Sequence, residues 1–195
     1  MTPPLETRRL LLRPLEVEDA PQAQALFAHW EVVKLLSARV PWPYPPDGAL
    51  RHIRDEVLPA VAQGEAWAWS MRLKTDPAHL IGTVSLRLSE DENRGFWLGL
   101  PWQGQGLMTE ACDAVTEYWF DVLGFTVMRS AKPLANTAAR HIALTQGMRV
   151  VRTDSRDAVS GRLPSEVWEL TRETWRARQG PATGPTARRA PPPRP

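Results

Sequence analysis

The chain of 195 residues contains a single cysteine, Cys112. One thiol cannot close an internal disulfide and offers no cluster for zinc, so a reducing, cytoplasmic setting is expected. The four histidines, His29, His52, His79 and His141, have no metal-like spacing, and no metal is expected. No stretch approaches 18 consecutive uncharged apolar residues, which excludes a membrane-spanning helix. The start, Met1 to Arg9, runs into alternating sequence without an apolar h-region, so no signal peptide is expected. Charge of one sign is also lacking: 24 Lys and Arg face 22 Asp and Glu.

The small excess of base sits at one end. Residues 180–195 hold Arg188, Arg189 and Arg194 and no acid; without them 21 bases face 22 acids, a net charge of −1. The sequence pI of about 9.0 therefore describes a tail on a near-neutral domain, which argues against nucleic acid as a partner except through that tail. From Gln179 onward the only aliphatic residue is alanine among prolines, glycines and arginines. Such a segment cannot offset its ordering entropy, so residues 179–195 are expected to be a disordered Pro/Arg-rich tail behind one domain of residues 1–178.

What is present is a mixture of strand and helix patterns. Glu6 to Pro14 reads as a strand. Asp19 is placed to cap a helix whose apolar face is Ala23, Leu26, Phe27 and Trp30. Pro41-Trp42-Pro43-Tyr44-Pro45-Pro46 must be loop, and Asp47 is placed to cap a helix carrying Leu50, Ile53, Val57 and Val61. Trp67 to Leu73, Leu80 to Leu88 and Arg94 to Leu100 alternate as strands, with the acidic run Ser89 to Asn93 as a hairpin loop. Leu107 to Leu123 reads as a helix with Met108, Ala111, Cys112, Val115, Tyr118, Trp119 and Val122 inward, stopped by Gly124. Val127 to Pro133 is a strand, Asn136 caps a helix ending near Gly147, and Arg149 to Thr153 and Val167 to Thr171 are late strands. Adjacent strands followed by strands separated by helices indicate an α+β, mixed α/β, sheet.

The stretch from Gly95 to Ala111 reads strand, glycine turn, helix. Gly104 and Gly106 allow close backbone approach, and the helix start offers unpaired N–H groups and partial positive charge, a combination that holds phosphate without a lysine. The turn lacks the third glycine of a Rossmann loop and the Gly-Lys-Ser/Thr of a P-loop.

Gln103-Gly-Gln-Gly106-Leu-Met108 resembles motif A of the GNAT N-acetyltransferases. Thr109-Glu110-Ala111, Gly95-Phe96-Trp97-Leu98, Pro41 to Tyr44, Asn136-Thr-Ala-Ala139 and Gln146-Gly147-Met148 resemble landmarks of its branch of ribosomal-protein N-terminal acetyltransferases, RimJ and RimL, in consistent order from Glu6 to Trp175. The resemblance implies a GNAT fold: a central, mostly antiparallel sheet of about seven strands, flanked by helices, with splayed middle strands. It implies acetyl-CoA as co-substrate, with the diphosphate on the backbone of Gln103, Gly104, Gln105, Gly106, Leu107 and Met108. The pantetheine arm would run beside Trp97, Leu98 and Leu100, Asn136 would contact the arm, and a backbone N–H near Leu98 would polarise the thioester oxygen. Trp42 and Tyr44 would wall the acceptor pocket, and the loops at residues 40–47 and 153–165 would shape it.

Four positions depart from the pattern, the first being Met108, which replaces the final small residue of motif A. Asn93 stands where relatives carry a glutamate proposed as base, Ala139 where they carry serine, and Ala143 where other branches place a tyrosine acid. Asn93 and the neighbouring Glu92 are the catalytic candidates that remain. Near pH 7.4 an α-amine is roughly a quarter neutral, a lysine amine about one part in a thousand. An enzyme without a strong base is thereby directed to a protein N-terminal α-amine or a small amine, attacked in a ternary complex. The alternative is an acyl-CoA-binding or sensing protein that has lost its acid and base. Monomer and homodimer are equally compatible with the sequence.

Overall fold

The alternation in the first half of the chain produces the larger of two sheets in the computed structural model, which describes residues 1–179. Strands β1 (Leu5–Glu6), β2 (Leu10–Pro14), β3 (Ala66–Leu73), β4 (Asp76–Arg87) and β5 (Arg94–Leu98) pair in chain order, each antiparallel to the next. β6 (Val127–Pro133), β7 (Arg149–Ala158) and β8 (Gly161–Thr171) form a second antiparallel sheet in the order β6-β8-β7. The expected tail from 180 onward lies outside the described residues. None of the described helices is long and apolar enough to cross a membrane.

Eight strands replace the seven or so expected, and the differences have local causes. The first expected strand is broken where Thr7 donates its amide to Leu10 O at 3.0 Å, leaving β1 and β2 as a tight hairpin. The late strands run through the whole of residues 149–171 as one hairpin, so most of the loop expected at 153–165 is strand. β7 is almost wholly exposed and rich in charge, so no apolar alternation announces it.

The helices are α1 (Ala20–Phe27), α2 (Trp30–Val33), α3 (Gly48–Arg51), α4 (Leu58–Ala62), α5 (Leu107–Glu117), α6 (Thr137–Thr145) and α7 (Arg172–Gln179). A π-helical segment, His52–Val57, joins α3 to α4, and another, Tyr118–Val122, prolongs α5. Asn136 caps α6 as expected, its Oδ1 accepting from Ala139 N at 3.1 Å. Asp19 and Asp47 do not cap: Asp19 forms a buried ion pair with Arg72, and Asp47 pairs with Arg51 at 2.5 Å. In both cases a nearby guanidinium is the stronger partner for a carboxylate than a helix amide.

Alternation along β3 sends Trp67, Trp69 and Met71 to one core and Ala68 to another. The first core lies beneath α5 and α6 and contains Leu107, Ala111, Cys112, Val115, Trp119, Ile142 and Ala143. Burying each side chain of valine or leucine size there contributes about 1.5–3 kcal/mol. Val122 is the exception on the expected face, and it is exposed because the π turn rotates it outward. The second core, with Ala20, Ala23, Ile53 and Leu80, packs α1 and α3 on the opposite face of the sheet.

Among the described residues the two sheets meet at the start of β5 and just before it, where an antiparallel bridge pairs Glu92 with Ser130. Asn93 N donates to Arg129 O at 2.8 Å, Arg129 N to Asn93 Oδ1 at 2.7 Å, and Ser130 Oγ to Arg94 O at 3.4 Å. Beyond Arg94 no hydrogen bond joins β5 to β6 among the described residues, so the strands part and leave a gap.

Candidate active site

The glycine turn closes the wide end of that gap. After β5 the chain makes a short 3₁₀ turn at Leu100–Trp102, then passes through Gly104 (φ +75°) and Gly106 (φ +73°) into α5. Left-handed backbone at both positions is why glycine stands there. Among the described residues, the amides of 104–109 find no acceptor, and the first bond of the new helix is Glu110 N to Gly106 O. A Cβ at Gly104 would meet nothing within 4 Å, so the turn faces open space. Leu107 and Met108 meanwhile bury their side chains. A surface of unpartnered amides at a helix start fits a diphosphate. Met108 in place of a small residue is accommodated, because its side chain points into the core.

Gln103 and Gln105 hold the turn in shape. Gln103 Nε2 donates to Leu98 O at 2.8 Å and Gln105 Nε2 to Pro101 O at 3.0 Å. A residue that sequence reasoning missed does more. Arg9, on the turn between β1 and β2, donates from Nη1 to Gln105 O at 3.0 Å and from Nε to Glu110 at 2.7 Å. Its amide and the Thr7 hydroxyl also donate to Glu110, at 2.7 and 2.5 Å. Burial alone would raise the Glu110 carboxyl, but these bonds from Thr7 and Arg9 outweigh it and hold its pKa below the usual range. No local signal links Arg9 to a turn about a hundred residues later. Arg9→Ala is expected to raise the KM for acetyl-CoA about tenfold, since a charge-assisted hydrogen bond contributes about 1.5–3 kcal/mol. Steady-state kinetics with acetyl-CoA as the varied substrate checks it.

Below the turn, β5 presents its free edge. Gly99 N bonds Ile81 O and Arg87 N bonds Asn93 O, both at 2.9 Å. With the register Gly82↔Leu98, Val84↔Phe96 and Leu86↔Arg94, the backbone groups of Gly95 and Trp97 turn toward β4. Those of Arg94, Phe96 and Leu98 turn into the gap. Arg94 O and Leu98 O are met there by Ser130 and Gln103, while Phe96 N, Phe96 O and Leu98 N have no partner among the described residues. An extended amide-bearing chain laid in the gap would find the pairing groups of a strand. Leu100 lies exposed just past this edge, and Asn136, while capping α6 through Oδ1, has no acceptor for its Nδ2 among the described residues.

The catalytic candidates sit at the closed end. Asn93 is only 6% exposed; besides accepting from Arg129 N, it donates from Nδ2 to Ser89 O at 2.6 Å and Arg87 O at 3.3 Å. Its side chain straps the hairpin to β6, and an amide so engaged is not a proton acceptor, which corrects its candidacy as base. Glu92 Oε1 accepts from Ala131 N at 3.1 Å and lies 3.5 Å from Arg156. Burial raises the pKa of the Glu92 carboxyl, against the pull of Arg87, Lys132 and Arg156. The rest of the acidic run is not free either: Asp91 pairs with Arg152 and Arg156 of β7.

The aromatic loop lies on the other face of the sheet. Phe27 meets Tyr44 edge-on at 4.9 Å and Trp97 at 5.2 Å. Burial and Glu56 push the Tyr44 phenol up to about 12, so it stays protonated. Trp42 leans on Trp30 at 5.4 Å and keeps 42% of its surface exposed. The bridge between Ser37 and Ala158 ties this region to the β7–β8 hairpin. Trp67 and Trp69 are buried in the core, and so is Cys112.

A parted sheet with one free strand edge, leading to a turn of unpartnered amides, offers pairing groups to an extended amide-bearing chain and donors to an anion at its end. The sequence profile of the Acetyltransferase (GNAT) domain family matches residues 9–149, and the chain belongs to that family of acetyltransferases, whose co-substrate is acetyl-CoA. Solved structures agree in fold. The chain is similar to a GNAT-family acetyltransferase from Bacillus anthracis, with 14% identity over 88% of this chain and 99% of that one, TM-score 0.74. It is similar to the ribosomal-protein-S5-alanine acetyltransferase from Vibrio fischeri, with 15% identity over 89% and 98%, TM-score 0.74. It is also similar to RimL, a ribosomal L7/L12 alpha-N-protein acetyltransferase in complex with coenzyme A, with 15% identity over 87% and 98%, TM-score 0.72. No curated protein sequence matches the chain.

Proposed function

We propose that this enzyme transfers acetyl from acetyl-CoA to a primary amine, a protein N-terminal α-amine or a small-molecule amine, by direct attack in a ternary complex, as in the RimJ/RimL-like branch. The carrying observation is the pair of unpartnered amide sets, one in the turn at 104–109 and one at Leu98 and Phe96 on the edge of the gap. Acetyl-CoA supplies an activated acyl group as a thioester. Gly104, Gln105, Gly106, Leu107 and Met108 receive the diphosphate on their amides, and Gln103 and Arg9 keep that turn in shape. The edge of β5 from Phe96 to Leu98 aligns the arm, Leu100 lies beside it, and Asn136 donates its free Nδ2 to it. The Leu98 N–H, or that of Phe96 one pairing step deeper, polarises the thioester oxygen. Its contribution grows as negative charge develops there, which is the condition for lowering the barrier.

The acceptor arrives from the face carrying Trp42 and Tyr44, opposite α5 and α6. Ala139 and Ala143 face inward on α6 with no proton to exchange, and Asn93 is a strap. Glu92 contributes charge at the closed end, where one oxygen is already held by Ala131 and Arg156. Positioning and the edge amide then carry the reaction, which favours an amine that is already neutral. RimL, an alpha-N-protein acetyltransferase, agrees with that preference.

The test is release of CoA from acetyl-CoA in the presence of peptides with free N-termini and of small amines. Acetyl transfer to an α-amine supports the reading, and binding of acetyl-CoA without turnover on any acceptor favours a sensing protein instead. Trp42→Ala is expected to raise the acceptor KM several-fold and leave the Kd for acetyl-CoA unchanged, checked by varying each substrate separately.

A further inference from the structure

Lys132 of β6 is 3% exposed, and its Nζ has no hydrogen-bond partner among the described residues. Buried donors without partners are rare and call for an explanation such as a ligand. Met128, Ser130 and Lys132 form the buried face of β6, beneath α5. The chain entering β5 bridges β6 at Glu92 and Ser130, antiparallel, and the last contact before the strands part is Ser130 Oγ to Arg94 O. Lys132 is the next residue past that contact on the same buried face of β6, where the gap begins.

The charged groups around Lys132 leave a surplus of positive charge. From β5 comes Arg94, 1% exposed, donating to Thr116 Oγ1 at 2.6 Å, with its Nε unpartnered. From the hairpin comes Glu92, already facing Arg156 of β7. α5 brings Cys112, whose thiol burial pushes up. β8 brings Glu166, opposite Lys132 in register, and Arg140 of α6 binds both of its oxygens at 2.9 and 3.3 Å. Of the two buried cations only Lys132 acts on Glu92, and Arg87 and Arg156 compete for that same carboxylate. Burial and then Arg94 lower the Lys132 pKa to about 7, with Glu92 opposing them, so this ammonium can release its proton near neutrality, whereas Arg94 cannot.

We propose that Lys132 is a catalytic residue that meets the sulfur of CoA in the gap, donating a hydrogen bond from Nζ and passing its proton as the acyl–sulfur bond breaks. The acceptor nitrogen forms the new bond to the acetyl carbon, and the carbon–sulfur bond breaks with its electron pair on sulfur. The Lys132 ammonium gives that sulfur a proton and becomes a neutral amine. The acceptor nitrogen loses its extra proton to water, and Lys132 regains one from water. The step fills the role left vacant by Ala139 and Ala143, and it rests on the placement of the CoA arm along β5 proposed above.

Binding of CoA itself tests this without turnover. The ultraviolet absorbance of the thiolate is followed with pH for CoA bound to the wild type and to Lys132→Met. The bound thiol is expected to ionise at least one pH unit lower in the wild type, and coincident titrations overturn the proposal. In the wild type alone, CoA is expected to bind at least tenfold more tightly at pH 8 than desulfo-CoA, which lacks the sulfur. Equal affinities overturn it even where the variant fails to fold. Loss of CoA affinity in Gly106→Val with no sulfur effect would leave the arm's placement standing and refute Lys132 alone; failure of CoA to bind at all refutes both.

Discussion

Gly106→Val is expected to weaken acetyl-CoA binding about a hundredfold or more while the protein still folds. Gly106 holds φ +73° immediately before α5, and a β-branched residue in that region costs about 1–2 kcal/mol. A Cβ there would also stand 3.6 Å from the Arg9 guanidinium, so the new side chain enters the brace that shapes the turn. Relief comes by rotating the turn, which takes its amides out of line with one another. Each hydrogen bond to a charged oxygen contributes about 1.5–3 kcal/mol, so misaligning two of them removes about 3–6 kcal/mol. Residue 106 is exposed and outside the core, so the melting temperature should fall by only a few degrees. Calorimetric titration with acetyl-CoA and a thermal melt together separate lost binding from lost fold.

The second large effect is discrimination between amines. At pH 7.4 the neutral fraction of an α-amine exceeds that of a lysine amine by about two orders of magnitude, and at pH 9.4 by about one. If no side chain extracts the acceptor's proton, the ratio of kcat/KM for two otherwise similar peptides follows those fractions. It is expected to be about 250-fold at pH 7.4 and about tenfold at pH 9.4. Ionisations of the enzyme, Lys132 and Glu92 included, cancel in the ratio. A ratio that stays constant with pH would point instead to a base that deprotonates the acceptor on the enzyme.

Much of this was legible because the informative segments are local. The turn at 103–108, the cap at Asn136, the strand at 127–133 and the loop at 41–46 follow from neighbouring residues, and the structure places all of them as expected. What the sequence hid depends on residues far apart. Arg9 reaches Gln105 and Glu110 only after the sheet has formed, and Asn93 occupies a base-like position until its three hydrogen bonds are seen. Lys132 looks like a solvated lysine on a strand, since nothing local says that α5 covers it. Asp19 and Asp47 preceded helices and still did not cap, because arginines from across the fold or one turn on took their carboxylates. The β7–β8 hairpin escaped because its charges pair with one another and with Asp91 instead of alternating with a buried face.

Selection of the α-amine is read from one peptide bearing a free α-amine and one internal lysine, incubated with the enzyme and acetyl-CoA at pH 7.4. Tandem mass spectrometry then locates the added acetyl group. A single acetyl on the N-terminal nitrogen is expected; acetylation mainly on the lysine rules out selection of the neutral α-amine.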